Sequence, residues 1–168
     1  MNLRDPIPGA PNFSLYELTY SQTAEALGLN NAPDCAAEGR LIHIAQELAQ
    51  PARDALGPIL ISSGFRSPAL NRVLGGAQPS AHLYGAALDL APRRVSAATL
   101  ALWLVSHLPA WDQIIYERKG GRVWVHAALW PPGEKPNRGE LRRHMPQDGP
   151  SYPFITRTAL ELWAVTNS

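Results

Sequence analysis

The chain has 168 residues, 18.3 kDa and a net charge of +1, a length that suits one domain burying about two-thirds of its unfolded surface. Its 45% hydrophobic content excludes a disordered or fibrous chain, and no block of lysine and arginine lies along one expected face, which argues against a nucleic-acid partner. Cys35 is the only cysteine, so an intrachain disulfide and a cysteine-rich zinc finger are excluded and any metal must be held by His, Asp or Glu.

The opening residues 1–12, rich in Pro and Gly, read as a lead-in lying over the surface. They contain no apolar run long enough for a signal peptide or a membrane span. The expectation is therefore a cytoplasmic product without a membrane partner, reaching any extracellular target only after release. In "FSLYELTYSQTAEALGL", Ser14 with Glu17 three residues later has the capping-box pattern and predicts a short helix followed by a second. "NNAPD" breaks the chain. From about Ala36 to Leu56, Leu41, Ile44, Ala45, Leu48, Ala52 and Leu56 recur at three- and four-residue steps and describe the buried stripe of an amphipathic helix. Pro51 predicts a kink or a split in it.

"PILISSG" is a short β-branched run closed by Gly64 and reads as a strand that delivers "FRSPALN" to its end, with a short helix over 68–74. "GGAQPS" is a loop by composition; it lacks the lysine and following Ser/Thr of a phosphate-binding loop. "AALDLA" alternates as a strand does, with Asp89 on the face opposite Leu88 and Leu90. "SAATLALWLVSHL" predicts a helix capped by Ser96, with Leu100, Leu104 and Leu108 inward. "WDQIIYERKGGRVWVHAAL" predicts a hairpin turning at Gly120 and Gly121. The polar, proline-rich extension 131–168 reads as irregular apart from a short terminal helix in "RTALELWAV". The elements together predict a small single α+β domain over 1–168, a central antiparallel sheet flanked by helices, and a monomer.

With Gly120 and Gly121 as the loop, Lys119 pairs with Arg122, Glu117 with Trp124 and Ile115 with His126. Glu117, Trp124 and His126 then share one face, Glu117 a diagonal neighbour of His126 at roughly 7–8 Å between backbones. A one-residue slip would send Glu117 to the other face. His82, Asp89 and His126 make up the His and carboxylate set that a catalytic zinc uses while leaving a fourth position to water. Glu117 is the candidate to take that water's proton.

These residues also carry a resemblance. "SGFRSPALN", "SAHLYGAALD", "DQIIYE" and "WVH", across about residues 12–130, resemble the zinc D-alanyl-D-alanine carboxypeptidase and phage peptidoglycan endopeptidase family, which shares its fold with the zinc-binding signalling domain of hedgehog proteins. The resemblance implies one Zn²⁺ and peptidoglycan stem peptides as substrate. His82 and Asp89 fall on the pattern "S-x-H-x-x-G-x-A-x-D" and His126 on the later histidine. Glu117 is similar to the carboxylate of the hedgehog-like branch; other branches place the base three residues before the last ligand, where this chain has Val123. Many relatives carry a histidine where Trp124 stands, a residue that forms either core or subsite wall. Arg66 falls on the site arginine, able to hold a substrate carboxylate or the developing oxyanion, and Ser80 on the serine beside the metal.

The opening "NFSLYELTYSQTAEALGLNNAP" is similar to phage and prophage members, so a wall-lysing endolysin or virion component stands beside a carboxypeptidase. The alternative from another class is a non-catalytic zinc-binding, wall-binding or phage structural module. Against each site residue stands a plainer role: a solvated turn carboxylate for Glu117, a loop contact or a partner for the Asp89 neighbourhood for Arg66. His43 and His107 read as structural, and His144 receives no role.

Overall fold

Helices begin where short polar side chains can take up the unpaired N–H groups of a first turn. Ser14, Ser21, Asp34, Ser67 and Ser96 each accept from the N–H three residues on, as N-caps do. They start α1 (Leu15–Thr19), α2 (Gln22–Ala26), α3 (Cys35–Ile44), α5 (Pro68–Val73) and α6 (Ala97–His107) in this computed structural model, which describes residues 2–166. The Ser14 half of the expected capping box is present, whereas the Glu17 carboxyl accepts instead from the Ile61 backbone of the strand behind it.

The long stripe around Pro51 is split as expected. Between α3 and α4 (Gln50–Leu56) the chain makes a wider π turn over Ala45–Ala49. Proline has no N–H to donate and its ring crowds the carbonyl four residues back, so the ladder loosens just before it. Leu41, Ile44, Ala45, Leu48 and Ala52 are all buried.

The central sheet is formed by β3 (Ile59–Ser63), β4 (Ala87–Pro92), β6 (Arg122–Ala128), β5 (Gln113–Lys119) and β7 (Glu140–His144), in that spatial order. Three of the four pairings are antiparallel; β5 and β7 run parallel. The hairpin has the expected register, with Glu117 opposite Trp124 and Ile115 opposite His126. Because side chains alternate, Leu88, Leu90, Val125, Ala127, Ile114 and Tyr116 enter the helix-covered core. Asp89, His126, Ile115 and Glu117 line the other face.

Two segments are more ordered than their composition predicts. The lead-in forms a two-stranded ribbon, β1 (Pro6–Ile7) with β2 (Ala10–Ser14), that buries Ile7, Ala10 and Phe13. Within 131–168, β7 joins the sheet and α7 (Arg157–Thr166) packs against α6, its Trp163 ring 5.3 Å from Tyr116. The terminal helix in "RTALELWAV" is as expected; the strand corrects the irregular reading.

One glycine fixes the approach of α3 to the site. Gly85, at φ +73°, follows the short 3₁₀ turn Ala81–Tyr84, and a Cβ there would run into the Ala37 carbonyl. Gly85→Ala should cost about 3 kcal/mol or more by left-handed strain and overpacking. Denaturant unfolding measures it, and a loss below about 1 kcal/mol would mean that α3 yields without resistance.

Candidate metal centre

Strand β3 ends in the "SGFRS" loop, whose backbone organises the surroundings of the centre. Gly64 lies so close to the end of α1 that any Cβ would strike the Leu18 carbonyl, which accepts the Phe65 N–H at 2.8 Å. Asn31, in the segment expected only to break the chain, ties the loop down. Its side-chain amide donates to the Thr19 and Phe65 carbonyls, and its oxygen accepts the Ser67 N–H at 2.7 Å. Sequence patterning offered no sign of this, because an asparagine among turn residues reads as turn chemistry.

His82 sits in the 3₁₀ turn, fully enclosed, and its Nδ1–H donates to the Gly64 carbonyl at 2.7 Å. A carbonyl can only accept, so the ring proton is on Nδ1 and the Nε2 lone pair faces inward. Burial pushes the His82 pKa down, against the opposing pull of Asp89. The neutral imidazole is the form that binds metals.

Asp89 and His126 are paired neighbours on β4 and β6. His126 Nδ1 lies 3.1 Å from Asp89 Oδ1 and 3.1 Å from His82 Nε2, and the third side of the triangle, His82 Nε2 to Asp89 Oδ1, is 3.3 Å. Donors about 2.0–2.1 Å from a tetrahedral ion stand about 3.3 Å from one another, so the triangle has the edge lengths of a zinc site. The donor set, two imidazoles and one carboxylate oxygen, also suits that ion. All three residues are buried, and together they can hold a metal ion. Burial opposes ionisation of Asp89, yet its interactions with His82 and His126 outweigh that and hold the carboxyl well below the usual carboxylate range.

The other oxygen of Asp89 is engaged as well. Arg66 Nη2 donates to Asp89 Oδ2 at 2.6 Å and its Nε donates to Ser63 Oγ at 2.8 Å. Arg66 is therefore close to the centre, through the carboxylate.

Glu117 is half-buried one row along the sheet from His126, beside the equally half-buried Trp124. Burial pushes its pKa up; His126 opposes the rise and Asp89 adds to it. Ser80 stands at the start of the 3₁₀ turn, two residues before His82, and its hydroxyl makes no capping bond there. Val123, on the alternate face, packs against the core.

Two further side chains come to the neighbourhood of Glu117 from the extension. In the parallel pairing of β5 with β7, His144 is opposite Glu117, and Tyr152 stacks on His144 with ring centres 4.4 Å apart. Neither was legible, because the pairing is long-range and "ELRRH" lacks apolar alternation.

The buried His82–Asp89–His126 triangle, with the half-buried Glu117 on the same face of the sheet, is a group that can hold a metal ion. A family model described as Peptidase M15 matches residues 11–127, and the chain belongs to that family. Membership makes it a metallopeptidase of a zinc-dependent family acting on peptidoglycan-type peptides. A search of curated proteins finds no match.

Proposed function

We propose that this protein is a zinc-dependent peptidase that hydrolyses an amide bond within peptidoglycan stem peptides or cross-links. The observation that carries the reading is the His82–Asp89–His126 triangle, with edges of 3.1–3.3 Å and a glutamate of raised pKa on the adjoining row. A zinc ion held by these three residues supplies a Lewis acid that polarises a carbonyl and makes water acidic near neutral pH.

Glu117 accepts a proton from the attacking water as the new C–O bond forms, then delivers it to the amide nitrogen as the C–N bond breaks. A glutamate pushed up by burial suits both duties, because it can hold the proton between the two steps. In this reading Trp124, paired with Glu117, forms a subsite wall, and Ser80 stands two residues before His82.

The carboxypeptidase form of the reading relied on Arg66 to hold a terminal carboxylate. With Nε and Nη2 of Arg66 engaged by Ser63 and Asp89 and Nη1 left to meet a substrate, we favour internal cleavage as the form to test first. Lysis of a cell wall by a monomer released from the cytoplasm, or carried by a virion, is the biology that goes with it.

Elemental analysis of the purified protein, combined with digestion of purified peptidoglycan and mass spectrometry of the fragments, tests the reading. One zinc per chain and new amino termini inside the stem or cross-link are expected. New products lacking only a terminal D-alanine would point to carboxypeptidase action. Zinc without fragments would point to the binding module, and a folded protein without affinity for zinc would sink the site.

A further inference from the structure

The row of side chains that holds Glu117 extends beyond the family match, which ends at Ala127. Trp124 pairs with Glu117 and Glu117 with His144. After β7 the chain turns through Pro146–Asp148 and comes back along the outer edge of that strand, with Phe154 bridged to Arg142. Counting two residues along each chain from that bridge sets Tyr152 opposite His144. The row is thus Trp124, Glu117, His144, Tyr152, directly alongside the row holding Asp89 and His126.

Strand β7 and the segment that returns along it are firmly held. Arg138 makes a two-pronged ion pair with the buried Asp112, at 2.6 and 2.8 Å, and the Glu140 N–H donates to the Asp112 carbonyl. His144 Nδ1–H donates to the Ser151 carbonyl at 3.0 Å, Arg142 Nη1 to the Tyr152 carbonyl at 2.9 Å, and the Arg143 N–H to the Pro153 carbonyl. His144 is thereby fixed as a flat platform, and the Tyr152 ring lies on it at an interplanar angle of 16°.

Tyr152 is 40% exposed, and among the described residues its hydroxyl has no hydrogen-bond partner. Burial of its inner side and the nearby charges of Glu117 and Asp89 push the phenol pKa up, so the O–H keeps its proton. Arg66, the other donor expected to face the reacting carbonyl, has Nε and Nη2 engaged elsewhere. The phenol is a neutral donor in the same row as Glu117, next beyond His144.

Resting on the peptidase reading above, we propose that Tyr152 is a catalytic residue, its O–H donating to the scissile carbonyl oxygen as that oxygen gains negative charge, with His144 as the residue that positions it. A preformed donor aimed at developing charge stabilises the transition state more than the bound substrate. The C-terminal segment then completes the site rather than decorating it.

The test uses the full-length, zinc-loaded protein with a purified stem peptide and a phosphinate analogue whose tetrahedral phosphorus imitates the reacting carbon. Tyr152→Phe keeps the ring and its stacking and should lower kcat by about 10²-fold, leave KM and zinc content unchanged, and weaken phosphinate binding by the same factor. His144→Phe preserves a flat ring but loses the Ser151 tether, and should give a smaller fall in kcat, again without a change in KM. Full kcat and phosphinate affinity in Tyr152→Phe, beside an active wild type, overturn the proposal and leave the peptidase reading intact. A wild type that binds the phosphinate without cleaving still decides by the affinity of Tyr152→Phe. A zinc-loaded wild type that neither cleaves nor binds it removes the peptidase reading, and Tyr152 falls with it.

Discussion

Glu117→Gln should lower peptide hydrolysis by about 10²–10⁴-fold in kcat, the range that a positioned general base contributes, while zinc content stays at the wild-type level. The amide keeps the size and most hydrogen bonding of the carboxyl and removes only its capacity to take a proton. In the metal-free wild type, burial pushes this carboxyl up. Stability should move the opposite way. A carboxyl whose pKa is higher folded than unfolded favours the fold at low pH, and that contribution is lost as pH rises from the ordinary carboxyl range through the folded value. At neutral pH, metal-free Glu117→Gln should therefore unfold at a higher temperature than metal-free wild type. Hydrolysis kinetics, zinc analysis and melting curves read all three. Undiminished turnover in the variant would remove Glu117 as the base, and an equal or lower melting temperature would mean that its burial is not a burden on the fold.

Arg66→Met should act on the metal rather than on substrate affinity. The Arg66–Asp89 pair is largely shielded, with side chains 15% and 10% exposed, and removing one partner of a buried pair leaves the other charge uncompensated at a cost of about 3–5 kcal/mol. Asp89 is also no longer held with Oδ1 toward the two imidazoles, and loss of such an outer partner typically weakens metal binding about 10–100-fold. Competition with a chelating dye gives the zinc affinity, and thermal unfolding of the metal-free protein gives the stability. If zinc affinity is unchanged and KM alone rises, the guanidinium serves substrate, and the carboxypeptidase form of the function regains its footing. Arg66→Lys restores the charge without the fork that serves both Asp89 and Ser63 and should recover only part of either loss.

The hairpin register could be read directly because a two-glycine turn between alternating strands leaves one pairing that buries Ile114, Tyr116, Val125 and Ala127 together. That register brings His126 and Glu117 to one face on pattern alone, and the alternation in "AALDLA" turns Asp89 away from Leu88 and Leu90; the pairing of β4 with β6 that joins them is long-range and was not legible. The helices were legible for an equally local reason: serine and aspartate caps precede stripes at helical spacing. The loop contacts of Gly64 and Asn31 were not, since they are made by a backbone carbonyl and a side-chain amide to segments far away in the chain. Strand β7 escaped for a related reason. All five of its residues are half-buried, so neither face shows an apolar alternation, and its parallel partner lies more than twenty residues earlier. His144 and Tyr152 were consequently invisible as neighbours of Glu117, although each stands in plain view in the sequence.

Gly64 serves two neighbours at once. It gives up a side chain so that the end of α1 can close on the loop, and its carbonyl holds the ring proton of His82. Ion capture and the docking of the first helix thus share one peptide unit and are thermodynamically linked: whatever tightens one tightens the other. Zinc entering the triangle would act as a clasp on the N-terminal third of the molecule, and a change on α1, which contributes no ligand, would be felt as a change in metal affinity.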